Sequence, residues 1–276
     1  MNEKTILVTG ATDGIGKAIV MSLAGMGQHV LLHGRNPGRG SAVIQEILSR
    51  HPHARVDYFN ADLSRPATAR QLAHQVMERF SRVDVLINNA GVFMNDRVLT
   101  PDGLEMTFAV NHLAVQALSM ELLPALQVAA AEGGEARIVT VASKAHFRGR
   151  LEWDNLQGEK NFDPYGAYAL SKLGNVLFTF ELASRLDGSG ITVNCLHPGG
   201  ITTKLLQAGF GRGGADPAVG ADTPVYLAMD EQLAGVTGRY FVDRQPADPN
   251  PIVFDLNVRQ HFWQVSEKLI SSNQRD

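Results

Sequence analysis

The chain is predicted to fold as an α/β protein, a doubly wound parallel sheet of about seven strands with helices on both faces. Two observations predict this. Short β-rich runs alternate with longer segments of helical period from the N-terminus to about residue 242. A glycine cluster, "LVTGATDGIGKAI", follows the first of those runs and opens the first helical segment. Alternation of this kind implies βαβ units, because parallel neighbours need a crossover and a helix supplies it.

In chain order, strands are expected at 4–9, 29–33, 55–59, 83–87, 136–142, 191–196 and 238–242. Helices are expected between them at 14–26, 39–50, 66–80, 102–129, 165–186 and 217–229, with a further one near 256–270. Pro124 falls inside the fourth helix, where it removes a backbone donor and crowds the preceding turn, so a kink or an early end is expected there. Two polar stretches, 146–164 and 207–217, are long for simple connections and are read as loops over a substrate. With 276 residues, 44% of them apolar, the chain is expected to form a single domain, 1–276, around one large core.

A formal charge of −3 and a pI near 6.3 give no electrostatic footprint for nucleic acid or an anionic membrane. The single cysteine, Cys195, excludes an internal disulfide and fits a reducing compartment. No charged-then-apolar leader precedes "KTILVTG" and no stretch approaches a membrane span, so a cytoplasmic location is expected.

The glycine cluster carries the first chemistry. Gly10, Gly14 and Gly16, with Asp13 and Ile15 among them, sit between strand and helix, where glycine permits a tight turn and close approach of a pyrophosphate. The spacing is GxxxGxG and departs from the general GxGxxG fingerprint of Rossmann-like dinucleotide sites. At the end of the second strand "LLHGRNPGRG" offers Arg35 and Asn36 and no carboxylate. A guanidinium pairs with phosphate, so Arg35 points to NADP(H) in preference to NAD(H); Arg39 is a second cation nearby.

"YGAYALSK" at 165–172 places Lys172 four residues after Tyr168, one helical turn away on the same face; Tyr165 has Ala169 at that offset. A neighbouring ammonium is expected to draw the phenol pKa down from about 10, which would suit the phenol to proton transfer.

Together with "ADL" at 61–63, "NNAG" at 88–91, Asn111 in "AVNHL", Ser143 in "IVTVAS" and "HPGGITT" from His197, these residues resemble the short-chain dehydrogenase/reductase family over essentially the whole chain. The stretch from Asp154 to Leu186 and the "HPGG" segment are similar to its retinol dehydrogenase branch. The resemblance implies a catalytic set of Asn111, Ser143, Tyr168 and Lys172. It implies Asp62 and Leu63 at the adenine, Asn89, Ala90 and Gly91 at the cofactor ribose, Pro198 and Gly199 at the nicotinamide, and Thr203 near its carboxamide. Lys172 would also hold the nicotinamide ribose, and Asn111 a water linking Lys172 to solvent. Ala142 stands where the family often has another serine.

The implied activity is NADP(H)-dependent interconversion of an alcohol and an aldehyde or ketone on a sizeable apolar substrate, with Tyr168 as acid/base and Ser143 donating to the substrate oxygen. Alternatives are reduction of an activated C=C bond, as in the related protochlorophyllide reductases, and a non-catalytic NADP(H) sensor. The helices at 102–129 and 165–186 pair in many family members as homodimers or homotetramers, while members of this branch can be monomeric. The His51 to His53 pair lacks a third metal ligand with suitable spacing, so no metal is expected. Cys195, inside a strand, reads as a buried small hydrophobe. "GFGRGG" lacks the Lys-Ser/Thr of a P-loop and reads as a hinge-rich lid. Phe147, Trp153, Phe162 and Phe210 either line an apolar pocket or anchor the two loops.

Overall fold

In the computed structural model, which describes residues 3–211 and 213–272, eight strands form one sheet. They are β1 (Thr5–Val8), β2 (His29–Gly34), β3 (Val56–Asn60), β4 (Val85–Asn88), β5 (Ala136–Val141), β6 (Ile191–His197), β7 (Arg239–Val242) and β8 (Gln245–Ala247). The order is β3-β2-β1-β4-β5-β6-β7-β8, with β8 alone antiparallel to its neighbour. The eighth strand was not in the expected set of about seven. It is three residues long and contains Pro246, which a sheet tolerates only at its edge. The chain reaches it through Asp243 and Arg244, both at positive φ, a two-residue reversal of the kind that matches strand twist.

Ten helices pack around this sheet among the described residues: α1 (Gly14–Gly25), α2 (Pro37–Arg50), α3 (Pro66–Arg79), α4 (Met106–Phe108), α5 (Ala114–Glu121), α6 (Leu123–Gly133), α7 (Pro164–Arg185), α8 (Lys204–Phe210), α9 (Pro217–Met229) and α10 (Leu256–Ser272). Proline stands in the first turn of α2, α3, α6, α7 and α9, where its missing N–H is no loss. The helix expected over 102–129 starts late and is then broken. Its start slips to Met106 because Glu105 caps it, accepting from the Thr107 and Phe108 amides at 2.9 and 2.6 Å. It then breaks at Leu122, where Pro124 opens α6 and the axis bends by 55°. Among the described residues no single helix is long and apolar enough to cross a membrane.

The strands read as unbroken apolar runs because both sheet faces are covered. Ile6, Val8, Val85 and Ile87 pack under α1, α2 and α9, while their alternates Leu7 and Leu86 pack under α3, α5 and α7. Helix α7 is buried along its length from Tyr168 to Ala183 because α10 lies against it. Phe178 stacks on Trp263 with centroids 5.6 Å apart, and Arg259 of α10 approaches the buried Glu181 carboxylate at 3.3 Å.

Candidate active site

Strand order reverses direction between β1 and β4, so a crevice opens at the carboxyl ends of these strands, the usual ligand position in such sheets. The loop after β1 forms one wall. Gly10 has φ +65°, and a Cβ there would fall 2.8 Å from the Ala90 Cα, so only glycine lets the loops after β1 and β4 touch. Thr9 ties the same two loops, its hydroxyl accepting from the Asn89 and Ala90 amides at 3.0 Å each. His33, at the end of β2, accepts from the Gly10 amide on Nδ1 at 3.3 Å and therefore donates from Nε2 to the Ala61 carbonyl at 3.1 Å. That one ring joins the loops after β1 and β3, and its burial pushes its pKa down to about 4.

The four catalytic candidates come from four elements. Ser143 follows β5 and caps a 3-10 turn, Lys144–Arg148; its Oγ accepts from the Ala145 amide at 3.1 Å, leaving its own proton free to donate. The Tyr168 hydroxyl, on α7, is hydrogen-bonded to the Ser143 side chain. Asp163 caps that helix by accepting from the Gly166 amide at 2.7 Å, a bond typically worth about 1 kcal/mol. Lys172 lies one turn further on, 4% exposed, and donates to the Val141 carbonyl at 2.9 Å.

Asn111 sits in a π-helical turn, Ala109–Leu113, between α4 and α5, a distortion frequent at functional sites. Its Oδ1 accepts from the Val92 amide at 2.8 Å, and its Nδ2 donates to the Val92 carbonyl and to Ser171 Oγ, both at 3.0 Å. Ser171 in turn donates to the Tyr168 carbonyl at 2.7 Å. The Asn111 side chain thus clamps the loop after β4 to the turn of α7 that carries Tyr168.

The electrostatics differ from the expectation for the tyrosine. Burial pushes the Tyr168 hydroxyl up to about 12, with Ser143 opposing in part. The lysine is itself pushed down to about 8 by burial. Proximity along the helix does place Lys172 Nζ 5.7 Å from the Tyr168 ring centre, but in this interior desolvation of the phenolate outweighs it.

Helix α8 covers the tyrosine. Leu205 and Phe93 pack on Tyr168, the Phe93 and Tyr168 ring centroids 5.5 Å apart, and a Cβ on Gly209 would meet the Phe93 ring at 2.8 Å. Lys204 bonds to the Asp13 carboxylate, which this contact holds below the usual carboxylate range. The stretch 207–217, read as a loop, therefore begins as the end of a helix, stopped by Gly211 at φ +61°. The side chain of Phe210 and all of Arg212 lie outside the described residues.

The family model described as short chain dehydrogenase matches residues 4–210 of this chain. The chain is a short-chain dehydrogenase/reductase. Human retinol dehydrogenase 13 is 36% identical over 283 residues, spanning 97% of this chain and 84% of that protein, which puts this dehydrogenase in the retinol dehydrogenase-like branch. An uncharacterized protein from Mycobacterium paratuberculosis has a similar structure, with TM-score 0.79 and 30% identity over 97% of this chain and 93% of that one. A short chain dehydrogenase from Escherichia coli CFT073 complexed with NADPH is also similar, with TM-score 0.71 and 27% identity over 87% of this chain and 96% of that one. Membership makes this protein an oxidoreductase acting on CH–OH and C=O groups. The family cofactor is a nicotinamide dinucleotide.

The dehydrogenase's own residues fit that cofactor. Helix α1 opens directly from the glycine loop; its Gly14 amide donates to the Asp13 carboxylate at 2.9 Å, and the first-turn amides beyond it lack intrahelical acceptors and would hold a pyrophosphate. Gly14, at φ +50°, would place a Cβ 3.1 Å from the Thr203 methyl, so the loops after β1 and β6 close on each other across the cleft. Ile15 packs at the same junction, against the position a Cβ on Gly220 would take. Asp62 turns its carboxylate to the Ser64 amide at 3.0 Å, and Leu63 is buried, both just beyond β3. Gly91, Pro198 and Gly199 follow β4 and β6 at the same edge, Gly199 at φ +92°. Arg35 is exposed and makes no ion pair among the described residues, whereas Arg39 stands 3.9 Å from Asp13. Asn36 has a structural task as well: its side chain caps α2, accepting from the Arg39 amide at 3.0 Å.

Sequence reasoning missed Thr9, His33, Phe93 and Lys204. Each acts through a contact distant in the chain, and only Thr9 and His33, flanking motifs already singled out, had a local signal. Of the loop aromatics, Trp153 anchors its loop on α10, its ring 4.3 Å from His261, and Phe162 lies against Gly158. Phe147 is 47% exposed beside His146. Cys195 is fully buried in β6 with its thiol pushed up to about 12 by burial.

Proposed function

We propose that this protein is an NADP(H)-dependent dehydrogenase/reductase that interconverts an alcohol and an aldehyde or ketone on an apolar substrate, with Tyr168 as the proton-transferring group. The observation that carries the reading is the hydrogen bond between the Tyr168 and Ser143 hydroxyls, in a site walled by Phe93, Leu205 and Ala145. The apolar wall supports an apolar substrate, and the retinol dehydrogenase relative is consistent with one.

When bound, the nicotinamide supplies or accepts the hydride at the substrate carbon. The substrate oxygen then meets two hydroxyls. Ser143, whose oxygen already accepts from Ala145, donates its proton to that oxygen and stabilises the charge developing there. Tyr168 delivers the proton that completes the alcohol. Burial pushes its pKa up to about 12, so the tyrosine holds the proton that it donates in reduction. Lys172 supplies the positive charge behind the tyrosine and remains available to the nicotinamide ribose. Asn111 sets the turn that carries Tyr168.

Arg35 carries the preference for NADP(H): it is an exposed guanidinium at the end of β2 with no carboxylate beside it to receive ribose hydroxyls. The buried position of Cys195 within β6 disfavours it as the proton donor of a C=C reductase. Replacing Tyr168 with Phe is expected to lower reductase turnover roughly 100- to 10,000-fold while leaving NADPH binding intact. Turnover that persisted in this variant would remove Tyr168 from the chemistry.

A further inference from the structure

We infer that His146 is a positioning residue that holds the catalytic turn of Ser143 through the serine carbonyl; the inference rests on Ser143 acting on the substrate oxygen. The His146 side chain is fully buried. Its Nδ1 lies 2.6 Å from the Ser143 carbonyl oxygen, and its Nε2 lies 3.0 Å from the backbone nitrogen of Asn250, a residue 104 positions away in sequence.

The chemistry of these partners fixes the ring's state. A backbone N–H can only donate, so Nε2 must offer its lone pair to Asn250; Nδ1 then carries the proton and donates to Ser143. Only the neutral ring with hydrogen on Nδ1 satisfies both ends. The Ser143 carbonyl also accepts from the His146 amide at 3.1 Å, so it is held from two directions. Two rings lie against the imidazole, Phe147 with centroids 4.2 Å apart and Tyr240 at 4.8 Å. Burial lowers the imidazole pKa, in keeping with a ring that stays neutral.

A second histidine braces the same turn. His197, at the end of β6, accepts on Nδ1 from the Lys144 amide at 3.3 Å. The Ser143 hydroxyl is aimed by the conformation of this turn, through the Ala145 amide. A change of a few tenths of an ångström at the Ser143 carbonyl would therefore be passed directly to the hydroxyl that meets the substrate, and rate is sensitive to such displacement. His146 touches neither substrate nor cofactor in this scheme.

Two substitutions separate positioning from packing. His146→Asn puts an amide N–H near the place of Nδ1 and keeps the bond to Ser143. His146→Gln reaches the place of Nε2, so it keeps the Asn250 end and loses Ser143. Both are measured for NADPH consumption with decanal as probe, for NADPH affinity and for melting temperature, each also in a Ser143→Ala background. The expected result is a kcat loss of roughly tenfold or more for His146→Gln, and within about threefold of the parent for His146→Asn, with NADPH affinity unchanged. In the Ser143→Ala background the His146→Gln loss should vanish. Equal losses for the two variants, or a His146→Gln loss that persists without the serine hydroxyl, would overturn the inference and leave His146 a packing residue. If His146→Gln does not fold, a loss in His146→Asn as large as that in Ser143→Ala overturns it equally. Undiminished kcat in Ser143→Ala alone would instead overturn the catalytic reading of the serine, and the inference with it.

Discussion

Lys172 Nζ stands 5.7 Å from the centre of the Tyr168 ring and donates to the Val141 carbonyl at 2.9 Å. The pair shares a helical face, as i and i+4 residues must, yet burial sets both protonation states: it raises the tyrosine to about 12 and lowers the lysine to about 8. Of the two groups, the lysine is the one whose value lies closer to neutrality. Below about 8 it is an ammonium, and above that value it loses its charge. The kcat/KM for carbonyl reduction is expected to be flat on the acid side and to fall as pH rises through about 8. A pH profile with NADPH at saturation checks this, and a fall appearing only near the tyrosine value would reassign the titrating group.

Arg35 should govern which dinucleotide is used. A charge-assisted hydrogen bond to a phosphate is worth ~1.5–3 kcal/mol, so Arg35→Ala is expected to weaken NADPH by roughly 10- to 100-fold. NADH, which lacks the 2′-phosphate, should change little. Dissociation constants for the two cofactors, measured by quenching of protein fluorescence, decide it; equal losses would remove the 2′-phosphate contact.

Acid should unfold the protein through its buried histidines. His33 and His197 are pushed down to about 4 and His112 to about 3, all mainly by burial, against an ordinary value of 6.5. A folded-state pKa below the unfolded one means the unfolded chain takes up protons first. The stability is complete above 6.5 and is lost as pH falls toward the folded values. Melting temperature should be level from pH 7 to 8 with respect to these groups and should drop steadily below about 6.5. His112→Asn should flatten part of that drop, since it removes one titrating ring.

Helix α10 bears on assembly. It lies along α7, with Phe178 on Trp263 and His112 Nε2 2.8 Å from Ser266 Oγ, so α7 has little surface left to offer a second chain. The protein is expected to sediment as a monomer at micromolar concentration. A dimer that cross-links through residues of α7 would show that α10 can leave its place.

The sequence determined the order of strands and helices, because both faces of the sheet had to be covered and each strand is therefore an apolar run closed by turn residues. It also located the glycine loop, Ser143, Tyr168 and Lys172, whose meaning lies in short-range spacing: a turn needs glycine, and a helix puts residues four apart on one face. Where local signals were weak it erred by a few residues or an element. Pro246 sits in a three-residue strand, β8, too short to show a strand pattern, and Glu105 moved the start of α4 by capping it from within the expected span. What only the tertiary structure decided was how burial and distant contacts set the state of those residues. Tyr168 keeps its proton because α8, Phe93 and Leu205 exclude water from it, and none of these is near it in the chain. His33 reaches Gly10 and Ala61, 23 residues before it and 28 after it, and His146 reaches Asn250 across 104. Periodicity reports which face a side chain occupies; desolvation and long-range hydrogen bonds depend on what the rest of the chain brings to that face.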